Sequence, residues 1–389
     1  MIKPFISIVM PCYNCSSTLK EAFDSIYRQH FSYPFEVILV DDGSKDDTVA
    51  LIQRLAAGRP ECRFIQHEKN RGGGAARNTA IKASSGEFIF CLDSDDVLAD
   101  GSLPLMVAFA QKERLDGTIF QYRRFFSADP SKHREESNPT IERDISLSDL
   151  FEPAPKRVLF NNFVYTRKAF DVVGGYPEDH GFDTPEFEFT FLGKGLRSRI
   201  CPGSIYYHRQ AAKHKSYFER EYEKGLFSIY VYLALERTIG SFTDSIVDLC
   251  AQFDAGSNNE LRNENNLLGA IRRQYEKDGS LLLSQEKGKR SARSQAFIDA
   301  AGCIRSGRYQ EASDKIALCR KEYGSESPIL LFNSLRARYG TNGMEQAEII
   351  GAALRELEKY GILKHRRMRR VPPFISKIYL ACKRVLGRD

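Results

Sequence analysis

The sequence predicts an α/β fold in its first half and an all-helical region after it, on three observations. Short apolar, β-branched runs alternate with amphipathic helical patterns over residues 5–92. The loops that end three of those segments concentrate acids or glycines, and beyond Tyr217 the strand signal stops. Alternation of this kind builds a sheet covered by helices, with ligands gathered at the carboxyl ends of its strands.

Phe5 to Met10 is apolar and rich in β-branched residues, which predicts the first strand. Leu19, Ala22, Phe23, Ile26 and Tyr27 then recur at helical spacing. Thr18 and Glu21 are spaced for a capping box at the start of that helix. Phe35 to Val40 is almost continuously apolar, as in a parallel strand covered on both faces. Val49, Ile52 and Leu55 mark a second helix, and Arg63–Ile65 and Glu87–Leu92 two further strands. From Tyr217 to Tyr360 the pattern is mostly helical, with polar breaks at 254–259 and 286–290.

Composition removes several classes of function. With 389 residues, 42% hydrophobic and 28% charged, the chain can bury the cores of two or three ordinary globular domains. The apolar run Leu226–Leu235 is too short to span a bilayer. Met1 leads directly into FISIVMP, without the segments of a signal peptide. Nine cysteines, an odd and scattered set, give no disulfide framework. The expected location is therefore the cytoplasm. The net charge of +6 resides in residues 364–389, which hold nine Lys or Arg against one acid. A nucleic-acid binder spreads its basic residues over a folded face, so no nucleic-acid partner is expected. In this tail Phe374, Ile375, Ile378, Tyr379, Cys382, Val385 and Leu386 fall on one helical face among basic residues. That pattern suits the surface of an anionic membrane, and equally a helix packed on its own protein.

Three segments carry chemistry. Asp41-Asp-Gly-Ser-Lys-Asp-Asp47 follows the second strand, where Asp and Gly can simply turn the chain and cap a helix. The adjacent carboxylates of Asp41 and Asp42 repel, and a nucleobase N–H or ribose hydroxyl would suit one of them. Asn70-Arg-Gly-Gly-Gly-Ala-Ala-Arg-Asn78 leads into a helix, so it is either a flexible turn or a backbone cradle for an anion, with Arg77 as a fixed cation. Its spacing matches neither a P-loop nor a dinucleotide fingerprint. Asp93 and Asp95 follow an apolar strand and project to one side of an extended chain. They form either an acidic turn or a seat for a hard divalent cation, Mn²⁺ or Mg²⁺. Cys12 and Cys15 have redox spacing but no helix-start context, which reads as structural.

The order of these segments is familiar. SIVMPCYN (Ser7–Asn14), LVDDGSKDDT (Leu39–Thr48), NRGGGAARNTAI (Asn70–Ile81) and GEFIFCLDSDD (Gly86–Asp96) together resemble the family-2 glycosyltransferases of the GT-A fold. VYTRKAFDVVGGYPE (Val164–Glu178) and SIYYHRQ (Ser204–Gln210) extend the resemblance to about residue 216. It implies a Rossmann-like mixed sheet flanked by helices and inverting transfer from a nucleotide-diphosphate sugar, a UDP-sugar first, to a saccharide or lipid-linked acceptor. Pro11 and Asp42 would line the nucleobase pocket with Tyr13 and Asp41 nearby. Asp93 and Asp95 would be the DXD pair, Asp95 the direct metal ligand, and Arg77 would lie by the donor phosphates, over which His208 and Arg209 would close. His208 reads equally well as a structural histidine.

The family's base normally lies in a Glu-Asp-x-x-Phe-like segment. Here the chain reads Phe182-Asp-Thr-Pro-Glu-Phe-Glu188, with Phe182 in place of the first acid and Pro185 disturbing the spacing. Asp183 is the first candidate for the base, Glu186 the second, and Glu188 is expected on a solvated face. The rival readings are a sugar nucleotidyltransferase, whose G-x-G-x-R-x-x-P loop is replaced by Pro11-Cys-Tyr-Asn14, and a non-catalytic adaptor on the same scaffold, which only the irregular base segment favours. The expected organisation is a catalytic domain at 1–216, a helical extension at 217–290, a helical region at 291–363 and the basic tail. In the third part Ala312 and Ala347 stand 35 residues apart, as tetratricopeptide repeats space them, or as an ordinary bundle happens to.

Overall fold

A computed structural model describes residues 3–151, 158, 160, 162–178, 182–210, 233, 299–300, 302–304, 306–323 and 328–359. The chain divides into two units, residues 1–147 with 158–218, and residues 148–157 with 219–389. The tail at 364–389, and all of 217–290 except Leu233, lie outside the described residues.

In the first unit the predicted strands form where β-branched and aromatic residues cluster: β1 (Ile6–Cys12), β2 (Phe35–Asp41), β3 (Cys62–Gln66) and β4 (Phe88–Cys91). β1 runs parallel to β2 and β4, and β2 parallel to β3. The sheet continues through β5 (Val97–Leu98), β6 (Gly117–Phe126), β7 (His133–Ser137), β8 (Val164–Thr166) and β9 (Ser198–Arg209). Its order is β3-β2-β1-β4-β8-β6-β9-β5, with β7 paired to β6. β8 is antiparallel to both β4 and β6, while β9 is parallel to β6, so the sheet is mixed. Flanked by helices, it is the GT-A architecture.

The helices are α1 (Leu19–Tyr27), α2 (Thr48–Ala56), α3 (Gly73–Ala83), α4 (Ser102–Glu113), α5 (Arg167–Val173) and α6 (Asp183–Gly193). Leu19, Phe23 and Ile26 of α1 share one buried cluster with Ile6, Ile8 and Met10 of β1. Packing of α3 across β1 and β2 covers the sheet as well. The capping box does not form. Thr18 Oγ1 donates instead to the Ser94 carbonyl (3.0 Å), and Glu21 pairs with Arg209. Both side chains thereby tie α1 to the segment around Asp95 rather than to their own helix.

The glycines of the third motif answer a packing need. A Cβ on Gly74 would lie 1.9 Å from the Pro177 carbonyl oxygen, so only glycine lets α3 begin against that segment. Gly74→Ala is expected to destabilise the fold by about 1–3 kcal/mol, the usual cost of overpacking. Thermal unfolding reads this directly, and an unchanged midpoint would mean that the contact is absent.

In the second unit α7 (Tyr309–Tyr323) packs on α8 (Pro328–Thr341), and α8 on α9 (Gln346–Lys359). Gly307 and Gly343 hold left-handed φ angles of 72° and 80° shortly before α7 and α9. Among the described residues these three helices thus pack in sequence order, each against the next.

Candidate active site

Loops 13–18, 42–47 and 92–96 leave the carboxyl ends of parallel strands and so open on one edge of the sheet. The first two are joined by hydrogen bonds. The Asn14 N–H donates to Ser44 Oγ (2.9 Å), the Lys45 N–H to Asn14 Oδ1 (2.7 Å), and the Cys15 N–H to Thr48 Oγ1 (2.8 Å). Ser16 donates to Asp46 through its hydroxyl (2.7 Å). Desolvation works against the Asp46 charge, yet hydrogen bonds from Thr48 and Ser16 hold its carboxyl down at about 2. The joined loops place Pro11 at the surface boundary and leave Tyr13 49% exposed, an aromatic face open to a planar ligand. Cys12 and Cys15 are buried free thiols.

Asp41 and Asp42 are buried and committed within the protein. The Asp41 carboxylate accepts the Gly43 and Ser44 N–H groups and shapes the turn. Asp42 accepts the Arg71 N–H (2.9 Å) on Oδ1 and the Gly72 N–H (2.8 Å) on Oδ2, and its Oδ1 also meets His67 Nδ1 at 2.7 Å. The Arg71 and Gly72 N–H groups that lead into α3 are therefore taken by the protein's own Asp42.

Arg77 is the hinge of the site. It leaves α3 with Nη1 donating to Asp183 Oδ2 (2.6 Å) and Nη2 to Asp93 Oδ1 (2.7 Å), and its guanidinium lies 5.7 Å from the Tyr176 ring centroid. Burial works against this charge, but the Asp183 and Asp93 carboxylates outweigh it and raise the Arg77 pKa well above the usual value. Asn78, the next residue, holds Tyr176 by accepting its N–H (2.8 Å) and donating to its carbonyl (2.8 Å). Tyr176 in turn stacks on Phe187 of α6 at 4.2 Å. One turn of α3 thus positions both Asp93 and the start of α6.

Asp93 is engaged on its second oxygen by Asn162 Nδ2 (2.9 Å). Asp95 is exposed at the rim, but the surrounding protein desolvates it and the Asp96 and Asp93 carboxylates repel its charge, so its carboxyl is pushed up to about 7. Asp96 is buried and organises the far side. It accepts from Tyr206 Oη (2.6 Å) and from the Arg209 N–H (2.8 Å), and meets His208 Nδ1 at 3.1 Å. Burial disfavours the imidazolium of His208, but the Asp96 carboxylate prevails and raises its pKa. The Arg209 guanidinium is held by the Asp95 carbonyl (2.7 Å) and by Glu21, over the Phe126 ring.

Asp183 opens α6 and is buried, with Oδ1 accepting the Thr184 N–H (2.9 Å); Glu186 is buried more deeply, one turn on. Pro185 leaves the helix undisturbed, because it falls in the first turn, where no intrahelical N–H bond is lost. The irregularity that favoured an adaptor is thus a regular helix start. Glu188 is a correction: it lies on a buried face of α6, not a solvated one. Sequence reasoning also missed Asp96, Asn162 and Tyr206. Asp96 adjoins the acidic pair and was within reach, whereas Asn162 sits in a stretch with no motif.

The same residues place the chain among known proteins. Residues 7–174 match the family model described as glycosyl transferase family 2. That stretch is a family-2 glycosyltransferase domain. The chain is 39% identical over 110 residues to chondroitin synthase of Escherichia coli, covering 28% of this chain and 16% of that protein. It is 35% identical over 214 residues to the uncharacterized glycosyltransferase EpsJ of Bacillus subtilis (strain 168), covering 53% and 61%. Over 151 residues it is 30% identical to UDP-Glc:alpha-D-GlcNAc-diphosphoundecaprenol beta-1,3-glucosyltransferase WfaP of Escherichia coli, covering 39% and 52%. The chain spans less than two thirds of each of these relatives. The matched region of the transferase domain contains Arg77, Asp93, Asp95 and Asn162, and it ends before α6.

Proposed function

We propose that the chain transfers a sugar, with inversion, from a nucleoside diphosphate donor to a hydroxyl of a saccharide or lipid-linked saccharide. The observation that carries this reading is the Arg77 bridge, which brings the acidic pair and the candidate base to one guanidinium. The name of WfaP gives UDP-glucose as its donor and a diphosphoundecaprenol-linked sugar as its acceptor, which supports a UDP-sugar and a lipid-linked class here. Tyr13 would stack the nucleobase, with Pro11 beside it, while Asp41 and Asp42 shape the loops that carry them. His208, held by Asp96, would face the diphosphate, and Arg209 would hold the loop that bears Asp95.

A divalent cation, Mn²⁺ or Mg²⁺, fits the donor set. Among the described residues no three His, Cys, Asp or Glu side chains converge as a closed metal cage. Asp95 offers one open carboxylate crowded by like charges, and Asp93 another that already has two partners. Such a set suits an ion that keeps positions for phosphate oxygens. When bound, the ion would neutralise the charge gathering on the departing diphosphate. The protein's own part is to hold the acceptor hydroxyl near α6 and take its proton on a carboxylate, Asp183 first. Among the described residues no helix is long and apolar enough to cross a membrane. The basic tail would hold the enzyme to an anionic surface where a lipid-linked acceptor resides.

UDP is expected to bind at least tenfold more tightly with Mn²⁺ than in EDTA, because the ion would bring to the phosphates and to the crowded Asp95 carboxylate a positive charge that neither has otherwise. Calorimetry in both conditions tests this, and equal affinities would remove the metal from the mechanism.

A further inference from the structure

Among the described residues Arg123 forms no ion pair within contact distance. It lies in β6, beside Tyr206 across the β6–β9 ladder and beside Glu136 across β6–β7. Its Nη2 is sealed from solvent without an acceptor, although the residue as a whole is only partly buried. Among the described residues its side chain enters no ion pair, and its one ring contact is Phe125 at 5.8 Å. Burial lowers its pKa to about 10, while the Glu136, Glu188 and Asp96 carboxylates favour the charge. Glu136 is already bound to Arg134. A guanidinium held so, with a donor sealed and unmet, is costly unless something else completes it.

Its place says what that is. Tyr206, its neighbour, donates to Asp96 and accepts from Asn162, which also donates to Asp93. Arg123 therefore borders the candidate site through Tyr206. Asp96 and His208 lie near it on one side, and Glu188 of α6 on the other, the helix that also bears Asp183 and Glu186. The diphosphate of the donor belongs with Asp93 and Asp95, whereas α6 is where an acceptor hydroxyl must come.

We propose that Arg123 receives a phosphate group of the acceptor, so that the substrate class is a phosphate-bearing saccharide or saccharide lipid. This rests on the transferase reading above. The planar fork of arginine suits two oxygens of one phosphate.

Full-length wild-type and Arg123→Met proteins are compared by calorimetry with inorganic phosphate, alone and with UDP and Mg²⁺ saturating, and with UDP by itself. The expected result is phosphate binding that persists beside UDP and weakens at least tenfold in Arg123→Met, with UDP affinity changed less than twofold. Arg123→Lys should keep part of the phosphate affinity. The melting temperature of Arg123→Met should be equal to or higher than wild type, since an unmet charge is removed. A tenfold loss of UDP affinity, with phosphate displaced by UDP, would assign Arg123 to the donor diphosphate and overturn the acceptor assignment. Identical phosphate binding by both proteins, no phosphate binding by wild type, or a melting temperature several degrees lower in Arg123→Met would overturn the site itself. Failure of the transferase reading shows separately, as wild-type protein that binds no UDP.

Discussion

Arg77→Met is expected to abolish sugar transfer and to lower the melting temperature of the transferase domain in the same protein. Arg77 is buried between two carboxylates, one of them, Asp183, buried as well. Breaking a buried pair by removing one partner costs about 3–5 kcal/mol, because the other charge stays behind uncompensated. For a domain of this size that is a fall of roughly 6–20 °C. Methionine fills much of the same volume, so the loss reports charge and hydrogen bonding more than packing. Activity should fall further than stability accounts for. Without the guanidinium, Asp93 and α6 lose the element that fixes their spacing, and misplacement of about 1 Å can cost ~10²-fold in rate. Arg77→Lys separates the two effects. A point charge restores part of the compensation but cannot donate to both carboxylates in fixed geometry, so stability should recover more than turnover. Full activity in Arg77→Lys at wild-type substrate affinities would count against the bridge.

The fold was legible because its signals are local. The strands at Ile6–Cys12 and Phe35–Asp41 are buried on both faces, so they read as unbroken apolar runs, and their register follows from burial. Leu19, Phe23 and Ile26 announced α1 for the same reason. The capping box failed because Thr18 and Glu21 found partners 76 and 188 residues away, and such long-range competition leaves no trace in spacing. The site was legible in its members and not in its wiring. Arg77, Asp93 and Asp183 were each singled out, yet nothing in the sequence says that one guanidinium joins all three. In the glycine run, two backbone donors bind an anion before the helix, and Asp42 is that anion, supplied by a loop about 30 residues earlier, which spacing alone does not reveal. Glu188 was read as a surface residue from its charge alone, although its neighbours Phe187 and Phe189 mark α6 as buried nearly all round.

Asp183→Asn should cost ~10²–10⁴-fold in turnover while nucleotide binding survives, the signature of a lost general base. Geometry favours Asp183 over Glu186. Asp183 shares Arg77 with Asp93, so a sugar whose diphosphate sits by the acidic pair has its reacting carbon on the Asp183 side. Glu186 lies one turn deeper and, at 3% exposed, is further from any approaching hydroxyl. Both carboxylates are buried as the structure stands, so arrival of the substrates must free Asp183 from Arg77. A phosphate group can do that by drawing the guanidinium to itself. Asparagine keeps the size and one acceptor oxygen for Arg77, so Asp183→Asn should lose only modest stability compared with Arg77→Met. Glu186→Gln should then retain turnover within about tenfold of wild type. Rates of donor hydrolysis and of transfer, measured for both variants beside their UDP affinities, decide the matter. If Glu186→Gln alone loses the rate, the base is one turn further along α6, and Asp183 serves only to hold Arg77. If both variants turn over normally, the proton leaves through a group outside α6, and the placement of the acceptor beside that helix falls with it.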